Sequence, residues 1–130
     1  MNSNFLLDTQ AFVIAAQEET GLSAKVRGVL TRQSTHLYLS LASIWEMQIK
    51  ISLGKLRLGV PLPEALQQGI HEMDLRLLPI HPDHIFKLGD LPWHHRDPFD
   101  RLLAAQALTM RLTLISGDRE FDRYGVHRLW

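Results

Sequence analysis

Residues 97–118 read DPFDRLLAAQALTMRLTLISGD, and this stretch decides the fold class. Asp97 suits a helix N-cap, Pro98 suits the first helical position, and Asp100 falls in the first turn. Asp100 shares one side of that helix with Ala104, Ala107 and Leu108, small apolar residues fit for close packing on a sheet, and the helix runs to about Arg111. LTLIS then reads as a buried strand, and Asp118 follows it after Gly117. The first segment of the chain has the same parts in another order. Asn4 to Leu7 is a short apolar strand, Asp8 ends it, and TQAFVIAAQ carries helical spacing at Phe12, Ala15 and Ala16.

The segments between continue the alternation. Ser23 caps a helix to about Gln33, His36 to Leu39 is a strand, and a helix from about Leu41 to Leu53 is stopped by Gly54. Pro63 starts a helix to about Glu72, Leu75 to Ile80 is strand-like, and Pro82 starts a short helix to Leu88. A turn of helix over Arg119 to Tyr124 and a last strand over Val126 to Leu129 complete the pattern. Strands alternating with helices imply one α/β domain over residues 1–130, a central parallel sheet flanked by helices, with any site at the carboxyl ends of the strands.

A chain of 130 residues is long enough to bury a core without disulfides or structural zinc. The absence of cysteine excludes thiol chemistry and cysteine-zinc sites. Lys plus Arg and Asp plus Glu stand at 14 each, so bulk charge argues neither for nor against nucleic acid, and any basic surface must be local. The opening MNSNFLLDTQAF lacks a basic start followed by a long apolar core, and no run approaches membrane-spanning length. The expectation is a soluble, cytoplasmic protein with no membrane partner.

Four carboxylates lie far apart in the chain, each at the edge of an apolar segment: Asp8, Glu46, Asp100 and Asp118. A charge at the end of a buried strand, or within an apolar helix stripe, needs something to offset its desolvation, and a divalent cation is an effective offset. Every one of these acids has a plainer reading. Asp8 and Asp118 can each cap the element that follows, and Glu46 can pair with Lys50 four residues on as an ordinary surface ion pair. Capping accounts for Asp97 better than for Asp100. The helix around Glu46 carries Ala42, Ile49 and Leu53 on one stripe, with Leu41, Ile44, Trp45 and Ile51 covering much of the rest, so it is expected to be largely buried.

Lys50, Lys55, Arg57, Arg96, Arg101 and Arg119 flank the acidic motifs. Lys50, Arg96 and Arg101 are candidates for phosphate contact, against a plainer reading as solvated or ion-paired side chains. His94-His95 and His81-x-x-His84 are better read as surface or capping histidines than as metal ligands. Trp45, Trp93 and Phe99 can stack bases, but Trp45 and Phe99 lie on apolar helix faces and are expected in the core.

LLDT, SIWEMQIKISLGKLRL, LPWHHRDPFDRLLAAQAL and LTLISGDREFDRY, in that order, resemble the PIN-domain family, in particular its VapC-type toxins of toxin-antitoxin pairs. LLDT alone is weak; WE followed by K-x-SLGKL and then HRDPFDRLL is specific. The resemblance runs from about Phe5 to Tyr124. It implies a metal-dependent endoribonuclease in which Asp8, Glu46, Asp100 and Asp118 bind Mg²⁺ or Mn²⁺, with Ser116 and Asp97 as candidate supporting groups. It also implies an RNA substrate, a cognate antitoxin and a homodimer. Hard oxygen donors suit these ions. The chain departs from close relatives at Gln10, Val13-Ile14 and Gly117, which bears on substrate and partner contacts more than on the acids. A non-catalytic binding module of the same fold is the alternative. An aspartate-phosphorylated phosphatase would need an acid at position 10, where Gln10 stands.

Overall fold

The computed structural model describes residues 3–93 and 97–130. In chain order its elements are β1 (Asn4–Leu7), α1 (Thr9–Ala16), α2 (Ala24–Thr31), β2 (His36–Ser40), α3 (Leu41–Ser52), α4 (Leu62–Met73), β3 (Arg76–Leu78) and α5 (Pro82–Lys87). A 3-10 turn (Leu88–Asp90), α6 (Pro98–Met110), β4 (Thr113–Ile115), a second 3-10 turn (Arg119–Tyr124) and β5 (Arg128–Leu129) follow. Side-chain caps set several of these starts. Asp8 accepts from the Ala11 amide at 2.7 Å, Ser23 from Val26 at 3.2 Å and Ser40 from Ala42 at 3.0 Å, each supplying an acceptor to an amide that the helix itself cannot pair.

The strands form one parallel sheet in the order β3-β2-β1-β4-β5. The chain builds outward from β1 through β2 to β3, then returns across β1 to lay down β4 and β5. That reversal leaves a crevice at the carboxyl ends of β1 and β4, the place where open parallel sheets bind ligands. Strand periodicity divides the core into two layers. Phe5, Leu7, Leu37, Leu39 and Ile115 pack with Phe12, Val26, Val29 and Met47 on one face. Leu6 and Leu114 pack with Leu103, Ala104, Ala107, Phe121 and Tyr124 on the other. Each large apolar side chain so buried stabilises the fold by roughly 1.5–3 kcal/mol.

Two expected strands are shorter than their apolar runs. β3 stops at Leu78 because Pro79 has no amide to continue the ladder. β5 pairs only at Arg128 and Leu129, while Val126 turns into the second core layer. A larger correction concerns α3. Its buried residues are Ala42, Ser43, Glu46 and Met47, while Leu41, Trp45, Ile49 and Leu53 are 40%, 59%, 37% and 63% exposed. These four stand at four-residue steps along one side. The helix is apolar on two faces, and this chain covers one of them.

Candidate metal centre

Asp8 and Asp118 reach the crevice because each follows a central strand by one to three residues. The Asp8 amide donates to the Ile115 carbonyl at 3.0 Å, which ties the end of β1 to the end of β4. Ser116, fully buried, joins the two acids: its hydroxyl donates to the Asp8 carboxylate, and its Oγ accepts from the Asp118 amide at 3.0 Å. Asp8 is buried, whereas Asp118 is exposed at the mouth, where its carboxylate caps the Glu120 amide at 3.0 Å.

Glu46 enters from α3 and is 6% exposed. Both of its oxygens are engaged. Oε1 accepts from the Thr9 hydroxyl at 2.6 Å, and Oε2 pairs with Lys50 Nζ at 2.7 Å. Thr9 and Ser43 hydroxyls lie 3.0 Å apart; with the Thr9 proton committed to the carboxylate, Ser43 donates to Thr9. The helical ion pair and the place beside the other acids thus describe the same glutamate.

Asp100 lies in the first turn of α6, half-buried, and its carboxyl is pushed up to about 7. Burial is the largest cause, followed by the charges of Asp97, Glu46, Asp8 and Asp118. Asp100 therefore lies within electrostatic reach of acids from the ends of β1 and β4 and from α3, as well as of its own N-cap. Asp8 is also raised, first by burial and further by Asp118 and Glu46, against the hydrogen bonds from Ser116 and Ala11. Asp97 caps α6, accepting from the Phe99 and Asp100 amides at 2.8 and 3.3 Å, and also adds charge beside Asp100.

Among the described residues no three acids or imidazoles are gathered into a set that would hold an ion as it stands. The reason is local: Asp8 and Asp118 each give an oxygen to a backbone amide, and Glu46 gives both to side chains. The chemistry of the donors nevertheless fits a hard dication, since all are oxygen and the raised Asp8 and Asp100 carry charge that their surroundings leave incompletely offset.

Other sequence-derived candidates fall in different places. Lys50 is exposed, with Asp97 and Asp100 acting on its ammonium as well as Glu46. Arg101 corrects an expectation: it is 4% exposed, and its Nη1 and Nη2 donate to the Pro92 and Leu88 carbonyls at 2.7 and 3.1 Å, with Trp93 stacked 3.8 Å from Cζ. A guanidinium committed to loop carbonyls is not presented to a phosphate. Trp45 and Phe99 are not core: they meet edge-to-face at 5.1 Å, Trp45 exposed and Phe99 half-buried. His84 is buried, and its Nδ1 accepts from the His81 amide at the start of α5, a capping role. His94, His95 and Arg96 lie outside the described residues.

Thr9, Ser43 and Arg128 were not anticipated. Ser43 had a signal, since it stands three residues before Glu46 on the same helix face. Arg128 pairs with Asp122 at 2.9 Å and donates to the Ser116 carbonyl at 3.1 Å, bracing the strand end that carries Asp118.

No curated protein sequence matches the chain. Solved structures do. VapBC2 from Rickettsia felis, bound to a DNA fragment from its promoter, matches with a TM-score of 0.74 at 18% identity, over 97% of each chain. DNA-bound VapBC from Salmonella typhimurium gives 0.68 at 19% identity, over 99% of this chain and 98% of that one. FitAcB from Neisseria gonorrhoeae gives 0.65 at 19% identity, over 97% and 96%. At such identities the likeness is one of fold. The PIN domain family model matches residues 5–126, nearly the whole length, and the chain therefore belongs to the PIN domain family.

Proposed function

We propose that this protein is a metal-dependent endoribonuclease, the toxin of a toxin-antitoxin pair, acting in the cytoplasm. The observation that carries this reading is Asp100, held up to about 7 by burial and by four other acids at the carboxyl end of a PIN-family sheet. Asp8, Asp100 and Asp118 would hold Mg²⁺ or Mn²⁺, with Glu46 as a further ligand or as the group that orients water. Bound there, the ion supplies charge stabilisation at the phosphodiester and an acidified water. Ser116 fixes the Asp8 carboxylate, and Asp97 keeps α6 capped where Asp100 faces the others.

A protein partner is supported by the exposed stripe of Leu41, Trp45, Ile49 and Leu53 on α3, the helix that carries Glu46. An antitoxin laying an apolar segment along it would stand beside the acids and block RNA. The similar solved structures are of complexes named VapBC and FitAcB, which favours such a partner over an isolated enzyme. A homodimer is part of the same proposal. No helix among the described residues is long and apolar enough to cross a membrane.

The test is RNA cleavage by the purified chain. With Mg²⁺ or Mn²⁺ it should cleave, and EDTA or Asp8→Asn should reduce the rate by about a hundredfold or more. Undiminished cleavage by Asp8→Asn in EDTA would remove the proposal.

A further inference from the structure

The two oxygens of Glu46 are held by very different partners. On the inner side, Oε1 takes the Thr9 hydroxyl at 2.6 Å, and Thr9 is itself backed by Ser43, which is fully buried. Both hydroxyls are carried on short side chains whose backbones belong to α1 and α3. On the outer side, Oε2 takes Lys50 Nζ at 2.7 Å, where the lysine side chain is 47% exposed and the glutamate 8%. A lysine ammonium on a four-carbon stem can swing away without moving the backbone. Glu46 is buried, so losing the lysine alone would leave its charge uncompensated, but an entering divalent ion would take over that role.

The position of Lys50 matters more than the strength of its pair. Its ammonium is acted on by Asp97 and Asp100 as well as by Glu46, so it faces the acids of α3 and α6 together. Arg128, a cation on which Asp118 acts, is by contrast held by Asp122 and the Ser116 carbonyl. Lys50, exposed and paired with a buried acid, is thus a flexible positive charge at the open side of the pocket.

We propose that Lys50 is the resident counter-ion of the acidic pocket: it occupies the outer oxygen of Glu46 until a divalent ion enters, and is then released toward an RNA phosphate. The inference rests on the metal-dependent reading above and makes Lys50 a positioning residue within it. Its direction is opposite to that of a simple scaffold. A lysine that merely oriented Glu46 for the metal would favour ion binding, whereas one that shares the site with the ion opposes it.

The experiment measures Mn²⁺ binding, with MnCl₂ alone and no RNA, by calorimetry and by the free-ion electron paramagnetic resonance signal. Wild type, Lys50→Met, Lys50→Arg and Asp8→Asn are compared at fixed ionic strength. Lys50→Met should bind Mn²⁺ roughly tenfold more tightly, the effect of removing one nearby charge at a solvent-facing site, and the gain should shrink in high salt. Lys50→Arg should stay close to wild type. In cleavage assays Lys50→Met should raise KM for RNA several-fold, because a phosphate contact is lost. Thermal melts check that all variants fold, which an exposed lysine permits. Unchanged or weaker Mn²⁺ binding by Lys50→Met, with wild type binding and Asp8→Asn not, overturns this inference and leaves the metal-dependent reading intact. Equal absence of Mn²⁺ binding in wild type and Asp8→Asn overturns both.

Discussion

A cleft of about 920 Å³ is lined by the C-terminal ends of α1, α2 and α4 and the turns after them, at the amino end of the sheet. The acids sit at the carboxyl end, in a separate crevice. The cleft mixes charges of both signs, Arg27, Arg32 and His71 with Glu18, Glu72 and Asp74, over an apolar floor of Ile14, Leu30 and Met73. Opposite charges open to water partly offset one another. At the carboxyl end carboxylates outnumber cations and several are desolvated, and Asp8 and Asp100 are raised as a result. The two ends thus differ in how their charges are balanced and desolvated, which is where perturbed groups concentrate.

Substitution at both ends gives the largest contrast. Asp118→Asn should lower RNA cleavage by about a hundredfold, whereas Arg27→Ala or Glu72→Gln should leave the rate within about twofold. Initial rates with Mn²⁺ measure this, and loss of cleavage from a cleft substitution would reverse the assignment of the two ends.

The next contrast is in stability. Asp100 is raised from 3.8 to about 7 in the fold, so the stability linked to its protonated form is fully present below pH 3.8 and is lost as pH rises through about 7. In EDTA, Asp100→Asn should therefore be more stable than wild type at pH 8, by ~1–3 kcal/mol once solvent screening is allowed for, and should lose that advantage at pH 4. Denaturant melts at the two values decide it; a constant difference at both would show that repulsion among the acids is not the cause.

The smallest effect is expected at Asp97. Asparagine also caps helices, so Asp97→Asn should change stability by no more than about 0.5 kcal/mol and retain most activity. It should also bring the Asp100 carboxyl down, because one of the charges acting on it is gone, an outcome read from the carboxyl carbon shift in an NMR titration.

How much of this was legible in the chain depended on whether the deciding interaction was local. Alternating strands and helices, the cap at Asp97 and the acids after β1 and β4 are written in residues close in sequence. The exposed side of α3 was not, because its apolar residues fall on two faces and only tertiary packing selects the one turned inward. Arg101 was misread for a similar reason. Its partners are carbonyls of Leu88 and Pro92, in a segment with no periodicity to announce them. Gly117, noted as a departure from relatives, has a neighbour no spacing could show: a Cβ there would lie 3.0 Å from the Trp130 indole.

The place of β4 between β1 and β5 also governs when the pocket can exist. β1 and β2 precede β4 in the chain, so one edge of β1 stays open until Thr113, Leu114 and Ile115 are laid beside Phe5, Leu6 and Leu7. The bond from Asp8 to Ile115 and the bridge through Ser116 close with that pairing. A chain still on the ribosome with its first hundred or so residues exposed already holds Asp8 and Glu46 yet cannot bring Asp118 beside them. Assembly of the acids therefore waits on the pairing of β4 with β1, and cannot precede the synthesis of Asp118.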